Sequence, residues 1–368
     1  MGQRREETLS SFAILTCRPA AAFGLALALG LSSAALAPAL AQAQAQAQDA
    51  AAAHPWLDPA LLAAAKAEGS LIIYSSTNEQ EGLPLFKIFE EATGIKVQYI
   101  RNADSPLMSR LAIEYRAGQK AWDILHTTTI NKVPPQMMAE IEPAEAKNIA
   151  PEARDPAKRW YGVYANYNAP AYNSTKVKAS ELPKSYEEFA QHKEWAGKVA
   201  IDNSDNEWLK AMYAYYGDQK AEQVIKSIVA AVSPVVTDGH LAMARALGAG
   251  EYAIALNQYV MLSSNVKIAG APVEVFALDP VALLFGQVGV SALAPHPNAA
   301  RLAANFMLSQ ECQQFLAKFG RLPTRKDVQT NPPGILDMLT QKKVMTTLLT
   351  PEEERVWQSK FNSLFKPR

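Results

Sequence analysis

Glu68 to Pro106 reads EGSLIIYSSTNEQEGLPLFKIFEEATGIKVQYIRNADSP, and the period of its apolar residues changes along its length. Leu71-Ile72-Ile73-Tyr74 is a short apolar run after Gly69, the pattern of a buried strand. Leu83 to Thr93 spaces its apolar residues as one face of a helix and ends at Gly94, a helix-stopping glycine. Lys96 to Ile100 is a second strand. Pro106, in the favoured first position of a helix, opens the next one over Leu107 to Ala117, closed by Gly118. Strand and helix alternating at this pace predict an α/β fold with a largely parallel sheet.

The same alternation extends in both directions. Asp58 to Glu68 is a predicted helix ended by Gly69, Asp123 to Leu125 a third strand and Pro135 to Glu140 a third helix. A second series follows, with strands at Tyr161 to Val163 and Ala171 to Asn173, a helix at Tyr186 to Gln191 and a strand at Lys198 to Ile201. Helices are expected over Glu207 to Tyr216, Gln219 to Val232 and Leu241 to Leu247, the last stopped by Gly248. Strands at Tyr252 to Leu256, Val273 to Phe276 and Val288 to Leu293 come next, then helices at Asn298 to Leu308, Glu311 to Phe319 and Pro351 to Phe365. No repeat at solenoid spacing interrupts the series.

Upstream, Arg4, Arg5 and Arg18 precede an uncharged Ala- and Leu-rich stretch that ends at Ala39-Leu40-Ala41. This is the layout of a cleaved signal peptide, residues 1–41, followed by an Ala/Gln linker over 42–54. The full chain of 368 residues carries 36 Lys plus Arg against 36 Asp plus Glu. That balance excludes a general nucleic-acid binder, which needs a basic excess, and the 49% hydrophobic content excludes a disordered chain. Removal of the leader leaves a net charge of −1 and one cysteine, Cys312, expected as a packed thiol.

Small polar residues gather where strands end and helices begin. Ser75, Ser76, Thr77 and Asn78 follow the first strand, and Arg101 to Ser105 follow the second. His126, Thr127 and Thr128 follow the third, Asp202 to Asn206 with Asn203 and Ser204 follow a fourth, and Asn257-Gln258-Tyr259 a fifth. Each such residue could be only a helix N-cap. Open α/β sheets, however, bind ligands at the carboxyl ends of their strands, where helix amino ends offer free N–H groups to anions. Five loops of this kind, split between two series, predict two lobes facing each other across a polar cleft.

Motifs for chemistry are missing. His54, His126, His192, His240 and His296 show no metal-type spacing, and no GxSxG, Walker or GxGxxG pattern occurs. Trp208 and Tyr172 could wall the cleft or pack in a core. An extracytoplasmic enzyme on the same scaffold is the minority alternative.

Several stretches together resemble one group: Glu68 to Val97, ELPKSYEEFA at Glu181 to Ala190, WAGKVAID at Trp195 to Asp202, ALGAGEYAIAL at Ala246 to Leu256, and Ala294 to Pro323. They are similar to periplasmic solute-binding proteins of ABC transporters, in the ferric-iron-binding, bacterial transferrin-like branch. The resemblance implies a type II fold of two lobes, each a mixed, mostly parallel sheet flanked by helices. Lobe 1 would comprise 55–160 with 286–335, and lobe 2 161–285 with 336–368. It implies a monomeric, non-enzymatic periplasmic receptor without a cofactor that hands a small molecule to an inner-membrane permease.

Ferric members hold iron with two adjacent tyrosines, a His and a Glu. Here the tyrosine pair becomes Tyr259-Val260, the His position matches Asn78 and the Glu position falls near Ser105. Ser, Asn and Val supply no anionic oxygen. The expected ligand is therefore a small anion, such as a phosphonate, phosphate ester or organic acid, contacted from Ser75, Ser76, Thr77, Asn78, Arg101, Ser105, Thr127, Thr128, Asn203, Ser204, Gln258 and Tyr259. The alternative is a ferric or ferric-chelate receptor in which Tyr259 is joined by a synergistic anion.

Overall fold

The computed structural model describes residues 52–365, so the predicted signal peptide and all but the end of the predicted linker lie outside the described residues. Helix α1 (Pro59–Glu68) is capped by Asp58, whose carboxylate accepts from the N–H groups of Ala60 and Leu61, and it ends on Gly69 at φ 76°. Strand β1 (Ser70–Ser75), α2 (Glu79–Thr93), β2 (Lys96–Arg101), α3 (Asp104–Arg116) and β3 (Ile124–Thr127) follow. Short 3-10 turns then lead to β4 (Tyr161–Asn173). Next come β5 (Val199–Asp202), α4 (Asn206–Tyr216), α5 (Asp218–Val232), β6 (Val235–Thr237), α6 (His240–Ala249), β7 (Ile254–Tyr259), α7 (Val260–Ile268) and β8 (Val273–Val275). The chain closes with β9 (Val281–Val290), α8 (Pro297–Met307), α9 (Gln310–Ala317), β10 (Leu322–Pro323), α10 (Ile335–Thr340), β11 (Val344–Thr346) and α11 (Pro351–Phe365).

The strands form one sheet in the order β2-β1-β3-β9-β4-β7-β5-β6. At one end β2, β1 and β3 pair in parallel, and at the other β7, β5 and β6 do. The long central strands β4 and β9 pair antiparallel to each other, from Tyr161 opposite Val288 to Asn168 opposite Ala282. The two larger of three apolar cores among the described residues flank this crossing. One joins Trp56, Leu71, Phe89, Leu125 and Phe306, with Phe306 tilted on Trp56 at 4.9 Å. The other joins Tyr186, Ile201, Trp208, Ile225 and Phe361. Each fully buried side chain of this size contributes about 1.5–3 kcal/mol. Cys312 is a buried free thiol, as its helical setting predicted.

Several elements differ from the sequence reading. The two strands expected at Tyr161 and Ala171 are one 13-residue strand, buried throughout. Asn166, Asn168 and Pro170 break its apolar pattern, yet the Asn168 amide nitrogen finds partners, donating to the Asn257 carbonyl at 3.2 Å and to Asp205. The ladder to β7 shifts register past Pro170, which has no N–H to give. Strand β7 continues through Asn257, Gln258 and Tyr259, which the sequence pattern places in a loop after the strand. The helix expected at Pro135 to Glu140 is a 3-10 turn over Pro135–Met137, because Ala139 donates to the Val290 carbonyl at 2.8 Å and is drawn along β9. Helix α6 runs past Gly248 and stops at Gly250, φ 81°. Helix α3 begins at Asp104, so Ser105 and Pro106 lie in its first turn and Pro106 is not its first residue.

Candidate functional site

Loops from both ends of the sheet line a cleft of about 980 Å³. Of the sequence-predicted residues, Ser76, Thr77, Asn78, Arg101, Thr128, Ser204 and Tyr259 line it. Four of the others lie elsewhere. Ser75 is buried, with its hydroxyl 3.3 Å from His126 Nδ1 and accepting from Thr77 N–H. Thr127 is buried and donates to Asp104. Gln258 is buried between the His240 carbonyl, to which it donates, and the Tyr259 N–H, which it accepts, so it fixes the strand end that carries Tyr259. Asn203 gives its carbonyl to Gln358 Nε2 at 3.2 Å. Ser105 sits in the first turn of α3. Successive residues along a strand face opposite sides, so a polar run at a strand end cannot point wholly into one cleft. Trp208 and Tyr172 belong to the second core, and Trp208 Nε1 donates to the Tyr186 hydroxyl at 3.1 Å.

The most informative residue was not foreseen. Arg321, in the turn before β10, is only 7% exposed and lines the cleft. Its Nε donates to Glu81 Oε2 at 2.7 Å, and its guanidinium lies 4.0 Å from the centre of the Tyr164 ring. Glu81 is held in turn: Asn78 Nδ2 donates to its Oε1 at 2.5 Å, while Asn78 Oδ1 accepts from Glu81 N–H and caps α2. Among the described residues no hydrogen bond reaches Arg321 Nη1 or Nη2. The guanidinium is thus fixed on one edge and unpaired on the other, which suits two-point recognition of an oxyanion. Behind Tyr164 lies His126, edge-on at 5.7 Å. Burial, with the Arg321 charge adding to it, pushes the His126 pKa from 6.5 to about 3, so the ring is neutral.

Acidic groups line the cleft as well, against the expectation that no carboxylate would be there. Asp104, at the start of α3, accepts from Thr128 Oγ1 at 2.7 Å and from Thr127. Glu207 and Glu354 stand on the opposite wall, and Lys132 reaches both, at 3.5 Å and 2.6 Å. Burial raises the Glu207 carboxyl against the lowering influence of Lys132. Tyr259 stacks on His240 at 3.9 Å. Its phenol is held well above the usual tyrosine range by burial first, then by the charges of Asp205, Glu207, Asp202 and Asp104. The buried Asp202 organises this wall by accepting from the N–H groups of Ser204 at 2.9 Å and Gly239 at 2.6 Å. Among the described residues no group of three or more His, Cys, Asp or Glu is placed to hold a metal ion.

A sequence cue for Arg321 did exist: a lone cation in Gly320-Arg321-Leu322-Pro323, flanked by apolar residues, needs a buried partner. Lys132, Glu207 and Glu354 had no such cue, because only folding brings them within reach of one another.

A sequence profile of the bacterial extracellular solute-binding protein family matches residues 85–342. The Fe(3+)-binding periplasmic protein of Serratia marcescens is 26% identical over 189 residues, 45% of this chain and 55% of that protein. The chain therefore spans about half the length of this curated relative. Iron-bound HitA from Pseudomonas aeruginosa superposes with a TM-score of 0.65 at 22% identity, over 81% of this chain and 98% of that one. The periplasmic binding protein AfuA from Actinobacillus pleuropneumoniae, solved with fructose-6-phosphate bound, gives a TM-score of 0.66 at 20% identity over 82% and 99%. These likenesses establish the type II periplasmic-binding-protein fold. No helix among the described residues is long and apolar enough to cross a membrane.

Proposed function

We propose that this chain, which belongs to the bacterial extracellular solute-binding protein family, is the substrate-binding component of an ABC import system. In this reading it captures a small anionic ligand, a phosphonate, phosphate ester or organic acid, and delivers it to an inner-membrane permease. It is exported by its leader to the periplasm and acts as a monomer without turnover. The lobes, 55–160 with 286–335 and 161–285 with 336–368, close around the ligand by bending at β4 and β9. A ligand that touches both walls only when they approach shifts the population toward the closed state by its differential affinity.

The observation that carries the reading is Arg321, a buried guanidinium that lines the cleft and is held by Glu81 through Nε, with no hydrogen bond among the described residues to its two terminal nitrogens. Arg101 and the Ser76 to Asn78 segment at the start of α2 line the same side. Titration calorimetry against phosphonates, phosphate esters and carboxylates tests it. Arg321→Lys is expected to weaken the best of these by about 10- to 100-fold, the worth of one or two charge-assisted hydrogen bonds. Unchanged affinity in that variant sinks the assignment.

A second reading, a ferric or ferric-chelate receptor, is favoured by Tyr259 and Asp104 lining one cleft. It requires a tyrosinate-to-iron absorption band on adding ferric salt with a synergistic anion, lost in Tyr259→Phe. A colourless mixture rules it out.

A further inference from the structure

The two walls of the cleft carry opposite charge. On the side of β1 to β3 the lining residues include Arg101, Lys132 and Arg321 against Asp104. On the side of β5 to β7 they include Glu207 and Glu354, with no Lys or Arg among the lining residues of that wall. Glu354 is well partnered, by Lys132 Nζ at 2.6 Å and Asn206 Nδ2 at 2.8 Å. Glu207 is held more loosely: Lys132 Nζ donates to its Oε1 at 3.5 Å, and among the described residues no other side chain donates to it. Its side chain is 15% exposed, so this carboxylate faces the cleft with little water to solvate it.

A ligand that is only an anion, seated on Arg321, meets a wall of two carboxylates sharing one ammonium, Lys132, and so a net negative charge, when the walls close. Like charges facing each other across a desolvated cleft reject such a ligand. A ligand with an ammonium at its far end removes that repulsion, and the protein already seats one ammonium, that of Lys132, against the same two carboxylates. From this placement, and resting on the anion reading above, we infer that the ligand is zwitterionic, its oxyanion on Arg321 and its amine on Glu207. Glu207 is then the residue that selects an amino-substituted acid over the plain acid.

Matched pairs differing in one amino group test this by titration calorimetry: ethanolamine phosphate against ethyl phosphate, and γ-aminobutyrate against butyrate. The amino compound of the phosphate or of the carboxylate pair is expected to bind about tenfold or more tighter than its partner. Glu207→Gln is expected to collapse that ratio toward one, whereas Arg321→Lys weakens both members and keeps it. Thermal melting checks that each variant is folded, and Glu207→Ala replaces Glu207→Gln if the latter is not. Equal affinity within both pairs, or a ratio that survives Glu207→Gln, overturns the zwitterion and leaves the anion reading standing. Binding of none of the four compounds overturns both.

Discussion

His126 shows what burial does to a single residue of this site. Its Nδ1 lies 3.3 Å from the Ser75 hydroxyl, and its ring has a folded-state pKa near 3 against 6.5 unfolded. Between those values the unfolded chain binds a proton that the folded chain refuses, so stability rises with pH across the window and is fully present above 6.5. Acidification from pH 7 to 5 is expected to lower unfolding free energy through this group by on the order of 2 kcal/mol. Urea midpoints at the two pH values check it, and His126→Gln should flatten the difference; an equal slope in that variant assigns the effect elsewhere. Tyr259 was singled out at this scale by its position in the family motif that follows ALGAGEYAIAL, and it lines the cleft. Arg321 carried only the cue of a cation among apolar neighbours, since its partners Glu81 and Tyr164 are far away in the chain and only packing identifies them.

Among the elements, β4 and β9 do the most to shape the cleft. Tyr164 and Asn166 of β4 and Leu284 of β9 line it, and the same strands tie the two parallel sheet ends together. Gly286 on β9 faces the Tyr164 ring so closely that a Cβ there would lie 2.0–2.4 Å from its atoms. The glycine is therefore what lets that ring lie flat beneath Arg321. Gly286→Ala is expected to cost about 1–3 kcal/mol of stability through overpacking and to weaken ligand binding by tilting Tyr164. A variant that melts and binds like the parent refutes this role. Most helices of the first series, and β1 to β3, were legible from apolar period and terminal glycines. Strand β4 was not, because its buried asparagines imitate a loop in sequence and are reconciled with a strand only by partners such as Asp205 and the Leu247 carbonyl.

At the scale of the molecule, Lys132 joins the two ends of the sheet through Glu207 and Glu354, and Asn131 Nδ2 adds a bond to the Leu349 carbonyl at 3.2 Å. These contacts bridge the two walls of the cleft. Lys132→Met strands two carboxylates in the cleft, so small-angle scattering is expected to show a larger radius of gyration for the unliganded variant than for the parent. Identical radii remove Lys132 as a latch. The sequence by itself determined the α/β class, the family resemblance and the loops that meet at the cleft, because apolar periodicity and helix caps are local properties of consecutive residues. The tertiary structure alone decided the charge of the two walls and which residues present it. A chain balanced at 36 cations and 36 anions says nothing about where they gather. That is settled by which buried charges find partners, and those partners are neighbours in space, brought together only when the sheet crosses at β4 and β9.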